Sequence, residues 1–127
     1  MTDSIRRLYD GVRAARGEDP GGSRTARLLQ AGPRKIAKKV AEEAAEVALD
    51  SAAGNREGVI RESADLLYHL VVLWFEAGVQ PKEIWAEMDR REKMYGIAEK
   101  ISKASLLDAK QSVQPVSLDR ARRRRAR

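Results

Sequence analysis

The stretch Leu66–Phe75 is apolar at every position but His69, and that run restricts the fold more than any other feature of the chain. It is far shorter than the roughly 20 residues that cross a bilayer, so protein rather than lipid must cover it. The surrounding segment, about Arg56 to Ala77, lacks the alternation of a strand and reads as a long helix whose second half is apolar nearly all round. Such a helix is buried on most sides. Within 127 residues few other helices are available to bury it. The expectation is an all-α bundle completed by homodimerisation or by a larger homo-oligomer.

Clusters of Gly and Pro at 17–22, 32–33, 78–81 and 96, and the pair Gly54-Asn55, divide the rest of the chain. Ile5, Leu8, Tyr9 and Val12 form an i, i+3, i+4, i+7 stripe behind a Thr2/Asp3 start. Ser23 caps one or two turns reaching Gln30, anchored by Leu28 and Leu29. Pro33, tolerated in a first helical turn, opens a segment rich in Ala, Glu and Lys that runs to about Ala53. A fourth helix starts near Pro81, shows Ile84, Trp85 and Met88, and is expected to end by Gly96, with no more than a weak turn over 97–105. From Ala109 apolar residues thin out and the chain closes in RARRRRAR. This reads as a domain over 1–104 and a mobile, Arg-rich tail over 105–127.

The absence of cysteine excludes disulfides, thiolate metal sites and thiol nucleophiles, and fits a cytoplasmic protein. No apolar leader follows Met1 and no segment is long enough to span a membrane, so neither secretion nor membrane association is expected. The net charge is +6, but Asp119–Arg127 alone carries +5, and the body of the chain is nearly neutral. Six Arg can neutralise phosphates and hold nucleic acid weakly. Without interleaved aromatics or a recognition helix, the tail reads as a solvated end and not as a nucleic-acid site.

At about 100° per residue, Glu43 and Glu46 share one helix face beside Ile36, Val40 and Val47, and Glu62 with Asp65 repeats the i, i+3 spacing beside Leu66 and Leu73. Both pairs edge an apolar stripe and are expected to face inward. Four carboxylates in a bundle interior repel one another and require a cation, because burying an unpaired charge is costly. Oxygen ligands with no Cys and a single His point to a hard ion, Mg2+ with Mn2+ as a substitute. Mg2+ retains waters and substrate phosphates in its shell, which makes a phosphate-containing substrate the natural completion. The plain alternative is a solvated surface, on which Lys39 pairs with Glu43 at the i, i+4 spacing.

KKVAEEAAEV at 38–47 and ESADLLYHLVVL from Glu62 resemble the EExxE and ExxD pair of the MazG-like all-α nucleotide pyrophosphohydrolases. With RLYDGVRAAR at 7–16, SRTARLLQAG at 23–32 and IWAEMDRRE from Ile84, they are similar above all to the phosphoribosyl-ATP pyrophosphohydrolase family of histidine biosynthesis, over about residues 3–103. The resemblance implies a MazG-like helical bundle that hydrolyses the α,β-phosphoanhydride of phosphoribosyl-ATP, giving phosphoribosyl-AMP and pyrophosphate. It also implies that Glu43, Glu46, Glu62 and Asp65 hold Mg2+, with Glu42 beside Glu43 as a further ligand or a base that orients water. Lys38 and Lys39 are then candidates for phosphate contact, with Arg34 and Lys35 ranking behind them.

Two positions depart from the family pattern: Arg24 stands where Tyr is usual, and Ala41 where Gly commonly precedes the paired glutamates. If position 24 meets the substrate, a guanidinium there alters recognition of base or ribose, or adds a phosphate contact. The alternatives are a housecleaning pyrophosphohydrolase for another nucleoside triphosphate, and a non-enzymatic helical binding module with a nucleic-acid-binding tail. His69 either orients Asp65 or is a core histidine with a satisfied hydrogen bond. Tyr68, Trp74, Phe75 and Trp85 read as packing residues.

Overall fold

The computed structural model describes residues 2–109, with side chains from 4 to 96. It contains five helices, α1 (Thr2–Ala15), α2 (Arg24–Ala31), α3 (Pro33–Ala52), α4 (Arg56–Glu76) and α5 (Pro81–Ala109), and no strand among the described residues, as the all-α reading expects. No described helix is long and apolar enough to cross a membrane. The Arg-rich stretch 110–127, read from the sequence as a mobile end, lies outside the described residues.

The chain divides into two units, Met1–Ala86 and a second that begins at Glu87. In the first, α3 and α4 form a hairpin, and α1 and α2 pack on it. The core is Tyr9 and Val12 of α1, Leu28 of α2, Ile36 of α3, and Val71, Val72 and Trp74 of α4. Trp85 meets Trp74 edge-on, ring centroids 6.2 Å apart, so both tryptophans pack as expected. The start of α2 is fixed by Ser23, whose side chain accepts from the Ala26 N–H at 3.1 Å. Gly32, at φ +92°, ends α2 and leads directly into Pro33 at the start of α3, a backbone angle that side-chain-bearing residues rarely adopt. The hairpin turns through Gly54, at φ +72°. Asn55 then caps α4 by accepting from the Gly58 N–H at 3.0 Å.

Past the unit boundary α5 does not stop at Gly96, and it passes residue 104 to reach Ala109, which corrects the expected helix end. An interior glycine costs about 1 kcal/mol relative to alanine, and the helix formers on both sides, among them Glu92, Lys93, Ala98 and Lys100, carry the helix across. Arg90 and Arg91 both donate to the Glu87 carboxylate, through their Nε atoms at 2.8 and 2.9 Å. Arg90 first and Arg91 second hold that carboxyl down to about 2. Its ordinary value is 4.5, so the contribution of Glu87 to helix stability is complete above that pH. It fades as the pH falls toward 2 and is gone below. For an exposed cluster the effect is small. Thermal melts followed by circular dichroism should show wild type above Glu87→Gln at pH 7, with the gap closing by pH 2; a gap independent of pH would exclude the ion pairs as its source.

Candidate functional site

Antiparallel helices joined by a short turn bring residues equally distant from the turn to the same level. Glu43 of α3 therefore meets Asp65 of α4, and Glu46 meets Glu62. One carboxylate oxygen from each of Glu43, Glu62 and Asp65 lies within 4.8 Å of the other two. Oε2 of Glu43 is buried and has no hydrogen-bond partner among the described residues. Glu46 stands beside this trio. Proton sharing with Glu62, and then repulsion from it, raise the Glu46 carboxyl above its ordinary value, with burial and Asp50 adding to the rise and Glu43 opposing it.

The sequence reading placed all four acids inward. In the single chain Glu43 and Glu62 are half-buried, while Glu46 and Asp65 are exposed. The correction has a simple cause: desolvating four like charges costs more than any contact within one chain returns, so the hairpin keeps them at its open face. A buried carboxylate oxygen without a donor, in a trio of oxygens this close, has the donor set and the charge that a hard divalent cation requires. The residues present fit such an ion.

Glu42, predicted beside Glu43 as ligand or base, lies outside the trio. Lys38 Nζ is 3.8 Å and Lys39 Nζ 3.5 Å from its carboxylate oxygens. Lys39 thus pairs with Glu42 and not with Glu43, whose side chain is turned to α4. His69 is 1% exposed, and its Nδ1 donates to the backbone carbonyl of Asp65 at 2.8 Å, so it is a satisfied core histidine bonded to the main chain of Asp65 and not to its carboxylate. Tyr68 is tied to Thr25 by a hydroxyl–hydroxyl hydrogen bond of 2.5 Å, and the Arg24 guanidinium lies over its ring, 5.8 Å from the centroid.

Arg24 and Lys39, both predicted to meet substrate, line one cavity together with Arg27, Lys35 and His69. From the sequence Lys35 ranks behind Lys38 and Lys39, and Arg27 is not among the expected site residues. The signal was present in the spacing. Arg24, Arg27 and Ala31 fall on one face of a helix that Ser23 starts, and Lys35 precedes Lys39 by one turn.

The sequence model of the family described as phosphoribosyl-ATP pyrophosphohydrolase matches residues 5–92. A protein of Rhodopseudomonas palustris named phosphoribosyl-ATP pyrophosphatase 2 is 62% identical over 106 residues, 84% of this chain and 81% of that protein. Its namesake from Bradyrhizobium diazoefficiens is 59% identical, with 84% and 79% covered. The phosphoribosyl-ATP pyrophosphatase of Gluconobacter oxydans is 50% identical over 99 residues, 78% of this chain and 74% of that protein.

Proposed function

We propose that this chain, which belongs to the phosphoribosyl-ATP pyrophosphohydrolase family, holds Mg2+ on Glu43, Glu62 and Asp65, with Glu46 beside them, and cleaves its substrate there. The chain is a hydrolase of phosphoribosyl-ATP in histidine biosynthesis. What supports the assignment of the site is the convergence of three carboxylates on a buried Glu43 oxygen that no donor among the described residues satisfies.

When bound, Mg2+ neutralises the triphosphate, lowers the pKa of a water and stabilises the departing pyrophosphate. The chain's own groups supply the rest. Glu42, on the flank of the trio, orients the attacking water and takes its proton. Oxygen from that water joins the α-phosphorus, and the bond to the bridging oxygen breaks, leaving phosphoribosyl-AMP and pyrophosphate. Lys38 and Lys39, paired with Glu42 in the absence of substrate, turn to phosphate oxygens when the substrate arrives, which strengthens their hold on a doubly charged group.

Leu49, Ile60 and Leu67, 69%, 51% and 46% exposed, leave an apolar surface on the α3–α4 hairpin, continued by Ala45, Ala48 and Ala64. We assign this surface to a second copy of the chain, making the working form a homodimer or larger assembly, and place its work in the cytoplasm.

The test is pyrophosphate release by the purified protein. Phosphoribosyl-ATP should be turned over with Mg2+, not at all with excess EDTA, and again when Mn2+ is supplied. Glu42→Gln should lower kcat by about 10²–10⁴-fold with little change in KM. Turnover of ATP or dUTP in place of phosphoribosyl-ATP, or turnover that survives EDTA, would overturn the proposal.

A further inference from the structure

The cavity beside the carboxylates has a volume of about 390 Å³, within the range of sites for small molecules. Arg24 and Arg27 come from one face of α2, Lys35 and Lys39 from successive turns of α3, and His69 from α4. Leu28 supplies an apolar wall, and among the described residues no carboxylate lines the cavity. Among the described residues Arg24, Arg27 and Lys35 enter no ion pair. Arg27 only donates to the Pro20 carbonyl, at 3.2 Å, and Arg24 lies against the Tyr68 ring that Thr25 holds in place. Four cations gathered around one hollow repel one another, and a bound anion reverses the sign of that interaction. Guanidinium forks suit phosphate oxygens in particular.

The position of the cavity along the hairpin narrows the choice of anion. Lys39 and Lys35 precede Glu43 by one and two turns, about 6 and 12 Å along α3. On α4, His69 follows Asp65 by one turn and is bonded to its carbonyl. Carboxylates and cavity therefore occupy consecutive levels of one helix pair. A ligand spanning both levels carries a metal-binding polyphosphate at one end and a second, metal-free anion at the other.

We infer that the cavity holds a sugar phosphomonoester, the ribose 5-phosphate group that distinguishes phosphoribosyl-ATP from ATP. The inference rests on the reading of the carboxylates as the triphosphate end. A phosphomonoester carries about −1.5 to −2 at pH 7, which balances much of the charge of Arg24, Arg27 and Lys35 and leaves Lys39 to divide its contacts with Glu42. Arg24 then acquires a role, as a third cation in the phosphate's surroundings.

The experiment is an NMR titration of the metal-free protein with ribose 5-phosphate, with unphosphorylated ribose as the control. Binding should shift the amides around Arg27, Lys35 and His69, and ribose should not compete. Lys35→Gln and Arg27→Gln should each weaken ribose 5-phosphate about 10-fold, the loss of one charge-assisted hydrogen bond, and leave Mg2+-dependent pyrophosphate binding within about twofold. In turnover, the same variants should raise KM for phosphoribosyl-ATP about 10-fold at constant kcat. No ribose 5-phosphate binding to the wild type would overturn the inference. So would parallel weakening of ribose 5-phosphate and pyrophosphate, which would put the triphosphate itself in the cavity. The two readings fail separately: ribose 5-phosphate bound in the cavity of a protein that releases no pyrophosphate supports this inference and refutes the carboxylate assignment.

Discussion

Glu43→Gln should lower turnover of phosphoribosyl-ATP by about 10³-fold, the several kcal/mol that a well-held metal ion supplies to a phosphoryl transition state. The same substitution should make the metal-free protein more stable. Oε2 of Glu43 is buried without a donor, and its neighbours Glu62 and Asp65 present oxygens within 4.8 Å. An amide at this position removes one charge from the trio and offers an N–H₂ to the remaining two. Relief of repulsion on the order of 1 kcal/mol should raise Tm by a few degrees. Addition of Mg2+ should reverse the ranking, because only the wild type gains the free energy of binding the ion to its folded state. Thermal melts with and without Mg2+, run beside the pyrophosphate assay, test both halves. A variant that keeps full turnover, or that melts lower than wild type in EDTA, would remove Glu43 from the metal centre.

Ile36→Ala should destabilise the fold by about 2–5 kcal/mol, a large part of the roughly 5–15 kcal/mol that holds a small domain together. Ile36 is 1% exposed and lies in the core with Tyr9, Val12, Leu28, Val71, Val72 and Trp74. It is the one fully buried side chain of α3 among the described residues, and it is the residue by which that helix enters the core formed with the other three. Truncation leaves a cavity that the surrounding helices close only in part. Urea unfolding should show a lower midpoint with an unchanged slope. At low temperature the folded variant should keep kcat, since Ile36 belongs to the apolar core and not to the carboxylate trio. A loss below about 1 kcal/mol would mean that α3 is held to the molecule by something other than this core.

Much of this is legible in the order of the residues. The Leu66–Phe75 run announced a buried helix, and Val71, Val72 and Trp74 are buried. Ser23 and Pro33 marked the starts of α2 and α3, because capping and proline geometry act on the nearest few residues and survive in any context. Gly96 misled for the opposite reason. Its propensity is a small local penalty, and the helix formers flanking it outweigh that penalty along α5. The pairing of Lys39 was equally beyond reach. Helical spacing allows it Glu42 and Glu43 alike, and the choice followed from Glu43 turning toward α4.

Which residues share a helix face follows from their order in the chain, and with it the all-α class, the two acidic pairs and the family resemblance. These are consequences of the 3.6-residue period, which every residue of a helix obeys without reference to the rest of the chain. Helix packing sets how far the acids lie from one another, that Glu46 stands beside the trio and not within it, and that Arg27 and Lys35 join Arg24 and Lys39 around one cavity. Those facts depend on the level at which α4 meets α3 and on the way α2 lies against both. The packing of Ile36, Leu28, Val71 and Val72 sets those levels, and a wheel drawn for one helix contains no information about where its neighbour begins.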